Sequence, residues 1–139
     1  MIVYELTHMF FRCDGEIIFS PKQLGLFLSY NDAVNAIQYY KLQPGFNVNQ
    51  DAFSIQDKPV VGAMVGNVIY EVLIYFHSED YSSEAEIELG LYAEESDAQN
   101  ALSKYCKNND ALISATDMVV ERIINRCIVG QKAWINGFC

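Results

Sequence analysis

An internal repeat is the feature that most constrains how this chain of 139 residues folds. Three segments of the first half recur in the second half in the same order. The matches are VYEL at 3–6 with IYEV at 69–72, LGLF at 24–27 with LGLY at 89–92, and DAVNAI at 32–37 with DAQNAL at 97–102. The offset is 66 residues in the first match and 65 in the other two. This nearly constant spacing indicates a duplication with halves near 1–65 and 66–139.

Both halves predict the same order of strands. β-Branched and aromatic residues predict first strands at 2–11 and 68–76. Second strands follow at 23–29 and 85–93, after turns at Asp14-Gly15 and at 78–83. Third strands are predicted at 52–56 and 117–128. Gly25 and Gly90 lie inside second strands, where a bulge or a close backbone approach is the usual reason for glycine.

One helix is predicted in each half, between the second and third strands. Asn31 and Ser96 precede the matched Asp-Ala pairs and are expected to cap the helix starts. Apolar residues recur at three- and four-residue spacing, which is typical of a buried helical stripe. They are Ala33, Ile37 and Tyr40, repeated as Ala98, Leu102 and Tyr105. Pro44-Gly45 and Asn108-Asn109 are expected to end the two helices.

The predicted fold class is therefore α+β, with two tandem β-β-α-β repeats. A single repeat has too small a core to be stable alone, so we expect the repeats to pack as one compact pseudo-twofold unit. Residues 59–66 (PVVGAMVG) are expected to be a short apolar connector. The second repeat also has a C-terminal aromatic tail with Trp134 and Phe138, which we expect to be partly buried.

Several segments of the chain resemble a small family of short bacterial domains. The first half has the tyrosine strand ending in His8, the LGLF strand, Pro44-Gly45-Phe46 and residues 53–55 (FSI), and the second half has the closing residues 134–138 (WINGF). Each half is similar to one such domain. The resemblance implies an interaction module without a recognised active site, of the kind found among bacterial immunity proteins that neutralise toxins.

The sequence offers little material for catalysis. His8 lies among apolar residues of a strand and is expected to be a core histidine, whereas His77 opens an acidic loop and is expected to be exposed. The four cysteines have no pair at zinc-ligand spacing and are expected to be reduced thiols. They are Cys13, Cys106, Cys127 and Cys139. We therefore expect no enzyme activity, no cofactor and no metal.

Acidic residues are strongly concentrated in one stretch. The formal net charge is −9, and no basic residue occurs between Lys58 and Lys104, where half of the 18 carboxylates lie. Glu84, Glu86 and Glu88 alternate with apolar residues and therefore share one face of a strand. The candidate partner-binding residues are Glu79, Asp80, Glu84, Glu86, Glu88, Glu94 and Glu95. The alternative is that these side chains form only a solvated surface.

These features restrict the kinds of molecule that the chain is expected to bind. Direct nucleic-acid binding is disfavoured because phosphate contacts need lysine and arginine. The longest uncharged run, residues 59–70, is too short to span a membrane, and the first residues lack a secretory signal, so a cytoplasmic location is expected. The leading hypothesis is an immunity-type protein that binds a basic protein, such as a toxin nuclease domain. The alternatives are a regulatory or ligand-binding module with a pocket between the two lobes and, third, a small enzyme.

Overall fold

A computed structural model of the chain describes residues 1–9, 11–13, 16–18, 22–43, 46 and 52–132. Strands and helices are mixed along the chain, so the predicted α+β class is confirmed. In chain order the elements are β1 (Ile2–His8), β2 (Phe11–Cys13), β3 (Glu16–Ile18), β4 (Lys22–Phe27), α1 (Tyr30–Tyr40), β5 (Phe53–Val61), β6 (Val68–His77), β7 (Glu84–Tyr92), α2 (Glu95–Asn108), α3 (Asp110–Ser114) and β8 (Val119–Ile128).

The chain divides into two compact units, named here after their main helices. The α1 unit comprises Ile2–Lys58 and the described residues 128–132, and the α2 unit comprises Met1 and Pro59–Cys127. The chain passes from the first unit to the second within β5. The boundary predicted near residue 65 separates the two sequence repeats, not the two compact units. It stays a prediction.

The α1 unit is a three-stranded sheet with a helix on one face. Its strand order is β4-β1-β5, and β1 pairs with β4 in antiparallel orientation. Buried residues of α1 follow the expected three- and four-residue spacing, and the Tyr40 hydroxyl donates a hydrogen bond to the Leu24 carbonyl oxygen at 3.0 Å. The core consists of Leu6, Leu24, Phe27, Ala33, Ala36, Tyr40 and Phe46.

The α2 unit has the strand order β5-β7-β6-β8. β6 and β7 are antiparallel along their length, and β5 pairs in parallel with the end of β7 through Val60 and Val61. α2 ends at Asn108 as predicted, but α3 follows at once and buries Ile113, which sequence patterns did not predict. The buried apolar residues of this unit include Val60, Ile69, Val72, Leu73, Ile74, Leu91 and Ala98.

Irregular strand pairing occurs at matching positions of the two units. The β1–β4 register shifts between Leu6 and Thr7, and the β6–β7 register shifts between Val72 and Leu73. Leu6 pairs with Gly25 and Val72 with Gly90. A Cβ atom on Gly25 would lie 2.9 Å from the Phe27 ring, so a larger residue does not fit there. Of the two reasons expected for glycine here, an irregular register is seen beside both glycines, and a close backbone approach is seen at Gly25, where a Cβ atom would lie 2.9 Å from the Gln131 carbonyl oxygen.

The predicted helix caps are wrong. Both helices begin earlier than expected, so Asn31 and Ser96 lie inside the first turns. The caps are Ser29 and Glu94, which are 65 residues apart. The Ser29 hydroxyl oxygen accepts a hydrogen bond from the Asp32 amide at 3.0 Å, whereas Glu94 makes no side-chain cap. Ser29 lies two residues upstream of Asn31, and its bond to the Asp32 amide is the ordinary bond of a capping serine to the third helical residue.

Several strand boundaries also differ from the predictions. β1 ends at His8, and the small β2–β3 hairpin follows it. β5 continues to Val61, so Pro59 and Val60 belong to a strand and not to a connector; Val60 is drawn into the ladder because its amide donates to the Met1 carbonyl oxygen at 2.8 Å. The connector is residues 62–67. The expectations for Asp14-Gly15, Pro44-Gly45, Trp134, Phe138 and Cys139 lie outside the described residues.

The helices of the described part of the chain are short. None of them has the length and apolar character needed to cross a membrane.

Candidate protein-binding surface

The acidic residues singled out from the sequence lie on the β6–β7 hairpin and at the start of α2. All seven candidates are exposed to solvent. Glu79 and Asp80 lie in the turn, Glu84, Glu86 and Glu88 lie on β7, and Glu94 and Glu95 lie at the α2 N-terminus. The last two also face the positive end of the helix dipole. The structure therefore presents these carboxylates to solvent from one hairpin and the helix that follows it.

The turn at residues 78–83 is closed by its own hydrogen bonds. The Ser78 amide donates to the Ser83 carbonyl oxygen at 2.9 Å, and the Ser83 amide donates to Ser78 Oγ at 3.0 Å. The Asp80 carboxylate accepts from Ser82 Oγ at 2.7 Å, Ser78 Oγ at 2.8 Å and the Ser82 amide at 3.1 Å. Hydrogen bonds from Ser82 and Ser78 favour the charged form and lower the pKa of Asp80 to about 2. The turn thus holds its negative charge in a fixed place.

A side-chain hydrogen bond also connects the two strands of the β6–β7 hairpin. The Tyr75 hydroxyl on β6 donates to Glu84 Oε1 on β7 at 2.6 Å. This bond, with the negative charge of Glu84, raises the pKa of Tyr75 to about 12. The neutral phenol therefore orients the Glu84 carboxylate across the physiological pH range.

The prediction that His77 is exposed is wrong. Its side chain is buried because the ring stacks on Tyr81 of the turn, with ring centroids 4.2 Å apart. Nδ1 lies 2.8 Å from the Ser78 carbonyl oxygen, a geometry in which the ring nitrogen donates. Nε2 lies 3.8 Å from Glu121 Oε1 on β8. His77 therefore contacts the turn through the Tyr81 ring and the Ser78 carbonyl oxygen.

The histidine predicted to be a core residue, His8, is fully buried. Its ring makes edge contacts with Phe46 at 4.9 Å and with Phe53 at 4.7 Å between centroids. These contacts place the His8 ring in the packed core, as expected for this residue.

Two buried carboxylates were not singled out from the sequence, although they occupy matched positions. Glu5 Oε2 accepts from Gln23 Nε2 at 2.7 Å and from Lys58 Nζ at 3.1 Å, within the α1 unit. Glu71 Oε1 accepts from Asn125 Nδ2 at 3.3 Å, within the α2 unit. The signal that could have found them is their shared place in the repeated Tyr-Glu motif.

An open groove lies beside the acidic residues, and the sequence did not predict it. It runs between β7 and α2, has a volume of about 390 Å³ and is lined by Leu89, Tyr92, Ala101, Lys104, Tyr105, Asn108 and Asn109. Leu89, Tyr92, Ala101 and Tyr105 are only half-buried. The missing counterpart of Phe46 in the second half is the sequence signal for this opening.

Two of the four thiols, those of Cys106 and Cys127, are half-buried, and among the described residues neither forms a disulfide bond. Arg122 Nε donates to Cys106 Sγ at 3.2 Å, which connects β8 to α2. Cys106 lies in α2 and Cys127 lies in β8.

Comparisons of the chain with protein-family models, with curated proteins and with solved structures gave no match. Its function must therefore be argued from its own surface.

Proposed function

We propose that this chain is a non-catalytic protein-binding module whose acidic surface recognises a basic partner. The observation that carries the proposal is the exposure of all seven candidate carboxylates in a stretch without lysine or arginine. The sequence from 59 to 103 contains nine of the 18 carboxylates and no lysine or arginine. The resulting field is negative over the hairpin and the start of α2.

Such a surface acts mainly on association. Complementary charge steers a basic partner toward the hairpin and raises the on-rate, while like charge rejects acidic proteins. The closed turn and the Tyr75–Glu84 hydrogen bond fix two of these charges, those of Asp80 and Glu84, before binding, which reduces the ordering cost of association.

The narrower proposal is an immunity-type protein of the cytoplasm that neutralises a toxin nuclease domain by covering it. A nuclease domain needs cationic side chains for phosphate contacts, so its active surface is a suitable partner for these carboxylates. The resemblance of each half to short bacterial interaction domains also favours this proposal. The same proposal takes the two halves as a tandem β-β-α-β duplication, which the matched register shifts at Leu6 and Val72 favour.

The test compares two charge-reversal variants with the same net charge. Glu79→Lys with Glu86→Lys alters the hairpin, and Asp32→Lys with Asp57→Lys makes the same change on exposed residues of the α1 unit. Both variants are first checked for unchanged thermal unfolding. A basic protein recovered from native extract with the wild-type chain then serves as ligand in stopped-flow association.

We expect the hairpin variant to associate at least about tenfold more slowly than wild type and to lose much of the salt dependence. The control pair should reduce the rate only slightly. Equal rates and salt slopes for both variants would show that the carboxylates are solvated surface. The immunity proposal further requires that co-expression of the chain protects cells from the recovered protein, and no protection would refute it.

A further inference from the structure

The two ring nitrogens of His77 both face oxygen atoms that accept hydrogen bonds. Nδ1 lies 2.8 Å from the Ser78 carbonyl oxygen, and Nε2 lies 3.8 Å from Glu121 Oε1. A neutral imidazole carries one N–H group and can serve only one of these acceptors, whereas the protonated ring carries two. Nε2 is buried and, among the described residues, has no hydrogen-bond partner. The surroundings of His77 therefore match the protonated ring better than the neutral ring.

The groups around the ring add to this preference. Glu84 is the residue opposite His77 in the pairing of β6 with β7, and Glu121 approaches from β8. Tyr75 of β6 and Tyr81 of the turn place their rings 5.3 Å and 4.2 Å from the imidazole, centroid to centroid. Carboxylates attract an imidazolium, and so does the face of a tyrosine ring. Burial of the ring opposes its charge, so the contact at Nε2 decides the balance.

Basic residues do not compete with His77 for the Glu121 carboxylate from its own hairpin. The segment 68–92, which holds β6, the turn and β7, contains no lysine or arginine. On β8, Arg122 follows Glu121 and therefore lies on the opposite face, where its Nε donates to Cys106 Sγ on α2 at 3.2 Å. The Glu121 side chain is 51% exposed. Its carboxylate can thus move the roughly 1 Å needed to form a charge-assisted hydrogen bond with Nε2.

The His77 ring also holds the turn that carries Glu79 and Asp80. Tyr81 has a φ of 57°, in the left-handed region that is unfavourable for a tyrosine. Its ring stacks on His77 with an interplanar angle of 5°, and its amide donates to the Ser78 carbonyl oxygen at 3.0 Å. The same carbonyl oxygen faces His77 Nδ1. Two contacts with His77 therefore stabilise the closed form of the turn.

His77 is the group of this hairpin that is suited to respond to pH near neutrality. The pKa of Tyr75 is raised to about 12 by its hydrogen bond to Glu84, and the pKa of Asp80 is lowered to about 2 by its serine hydrogen bonds. Neither group changes its charge in the physiological range. Histidine is the side chain whose charge ordinarily changes between about pH 5 and 8.

We propose that His77 is a pH-sensitive switch that fixes the acidic turn when the ring takes up a proton. The proton binds at Nε2 and pairs the ring with Glu121, and the charged ring stacks more strongly on Tyr81. The closed turn binds the proton more tightly than the open turn, so closure is favoured in mildly acidic solution and weakens as the pH rises through the titration of His77. The inference rests on the proposed function, because it names how pH regulates the acidic surface.

The first test is an NMR titration of the His77 ring in the full chain, with its signals identified by their loss in His77→Gln. Glu121→Gln removes the carboxylate charge and keeps the side-chain size, whereas Asp57→Asn removes a carboxylate from an exposed site of the α1 unit. We expect Glu121→Gln to lower the midpoint of the His77 titration by at least about half a pH unit and Asp57→Asn to leave it unchanged. Equal midpoints in the wild type and both variants would overturn the pairing.

The second test measures how firmly the turn is closed. The Ser78 and Ser83 amides donate within the turn, and their protection factors correct for the intrinsic effect of pH on hydrogen exchange. From about pH 5.5 to about pH 7.5 the wild type should lose protection at least about threefold, which is the change that half a pH unit of linkage produces. Glu121→Gln should lose less than the wild type. Protection that does not depend on pH in the wild type would refute the switch.

Binding of the captured basic protein connects the switch to the proposed function. Asp57→Asn serves as reference, because it corrects for the loss of one charge and for titration of the partner. The affinity of Glu121→Gln relative to Asp57→Asn should fall at least about twofold from about pH 7.5 to about pH 5.5, since only the reference gains a fixed turn. A ratio that does not change with pH would contradict regulation of the surface by His77.

Two results distinguish failure of the switch from failure of the proposed function. If the titration midpoints are equal but charge reversal of Glu79 and Glu86 still slows association, the switch is refuted and the proposed function stands. If the midpoints and the protection factors behave as expected but the same charge reversal has no effect, the proposed function is refuted and His77 controls only the turn.

Discussion

The two units share a sequence pattern, and each has a groove between its helix and a strand, but they differ in how far the matched leucine and tyrosine are buried. In the α1 unit Leu24 is 0% exposed, and Phe46 packs beside it. In the α2 unit the matched Leu89 lines an open groove. The repeated segments therefore determine where strand and helix lie, whereas residues outside those segments determine whether their contact is covered. An uncovered contact is where a partner gains most by binding.

The largest expected difference is between two leucine truncations. Leu24→Ala should lower the free energy of unfolding by about 2–5 kcal/mol, because it leaves a cavity in a closed core. Leu89→Ala should cost about 1 kcal/mol, since part of that side chain already contacts water. Urea titration of both variants measures the difference. Equal losses would mean that the two leucines are buried to the same degree.

A smaller difference is expected when an alanine is enlarged. Ala36→Phe overpacks the α1 unit and should cost about 1–3 kcal/mol. Ala101→Phe places the ring in open space and should change stability by no more than about 0.5 kcal/mol. Thermal unfolding of the pair checks this order, and destabilisation of both variants alike would contradict it.

The helix caps offer the third comparison. Ser29→Ala removes a side-chain cap and should destabilise the protein by about 1 kcal/mol. Glu94→Ala, at the matched position, removes no cap and should lose only a few tenths of a kcal/mol of helix-dipole interaction. Circular dichroism melting curves distinguish the two, and a larger loss at Glu94 would reverse the assignment of the caps.

The smallest expected effect concerns pH and the turn at 78–83. The pKa of Asp80 is lowered, so its contribution to stability is complete above the ordinary carboxyl pKa and is lost as the pH falls toward about 2. An NMR titration of the Asp80 carboxyl carbon should give a midpoint near 2. Ser82→Ala should move that midpoint upward, whereas Ser103→Ala, on an exposed site of α2, should not.

The sequence predicted the element types well because strand and helix periodicity depends on local residue patterns. The helices around Ala33 and Ala98 and the bulges at Gly25 and Gly90 follow from such patterns. Other features depend on contacts that strand or helix periodicity does not encode, whether distant or near in sequence. The extension of β5 through Pro59 needs the Met1 carbonyl oxygen, and the burial of His77 needs the Tyr81 ring.

The sequence predicted one part of the candidate surface, the carboxylates, but not the groove beside them. The exposure of the seven carboxylates followed from their alternation and from their place in a turn. The groove beside them did not, because Leu89 and Tyr105 repeat the buried pattern of Leu24 and Tyr40. Phe46 packs on Tyr40 in the first half, and the second half has no aromatic counterpart of it.

Hydrogen–deuterium exchange of the chain with and without its basic partner tests the central claim most directly. Binding at the α2 unit should slow exchange in the turn at 78–83, along 84–89 and on the α2 face at 101–108. The matched segments of the α1 unit, 22–27 and 36–43, should exchange at unchanged rates. Protection of those α1-unit segments with no change on the β6–β7 hairpin would contradict the account.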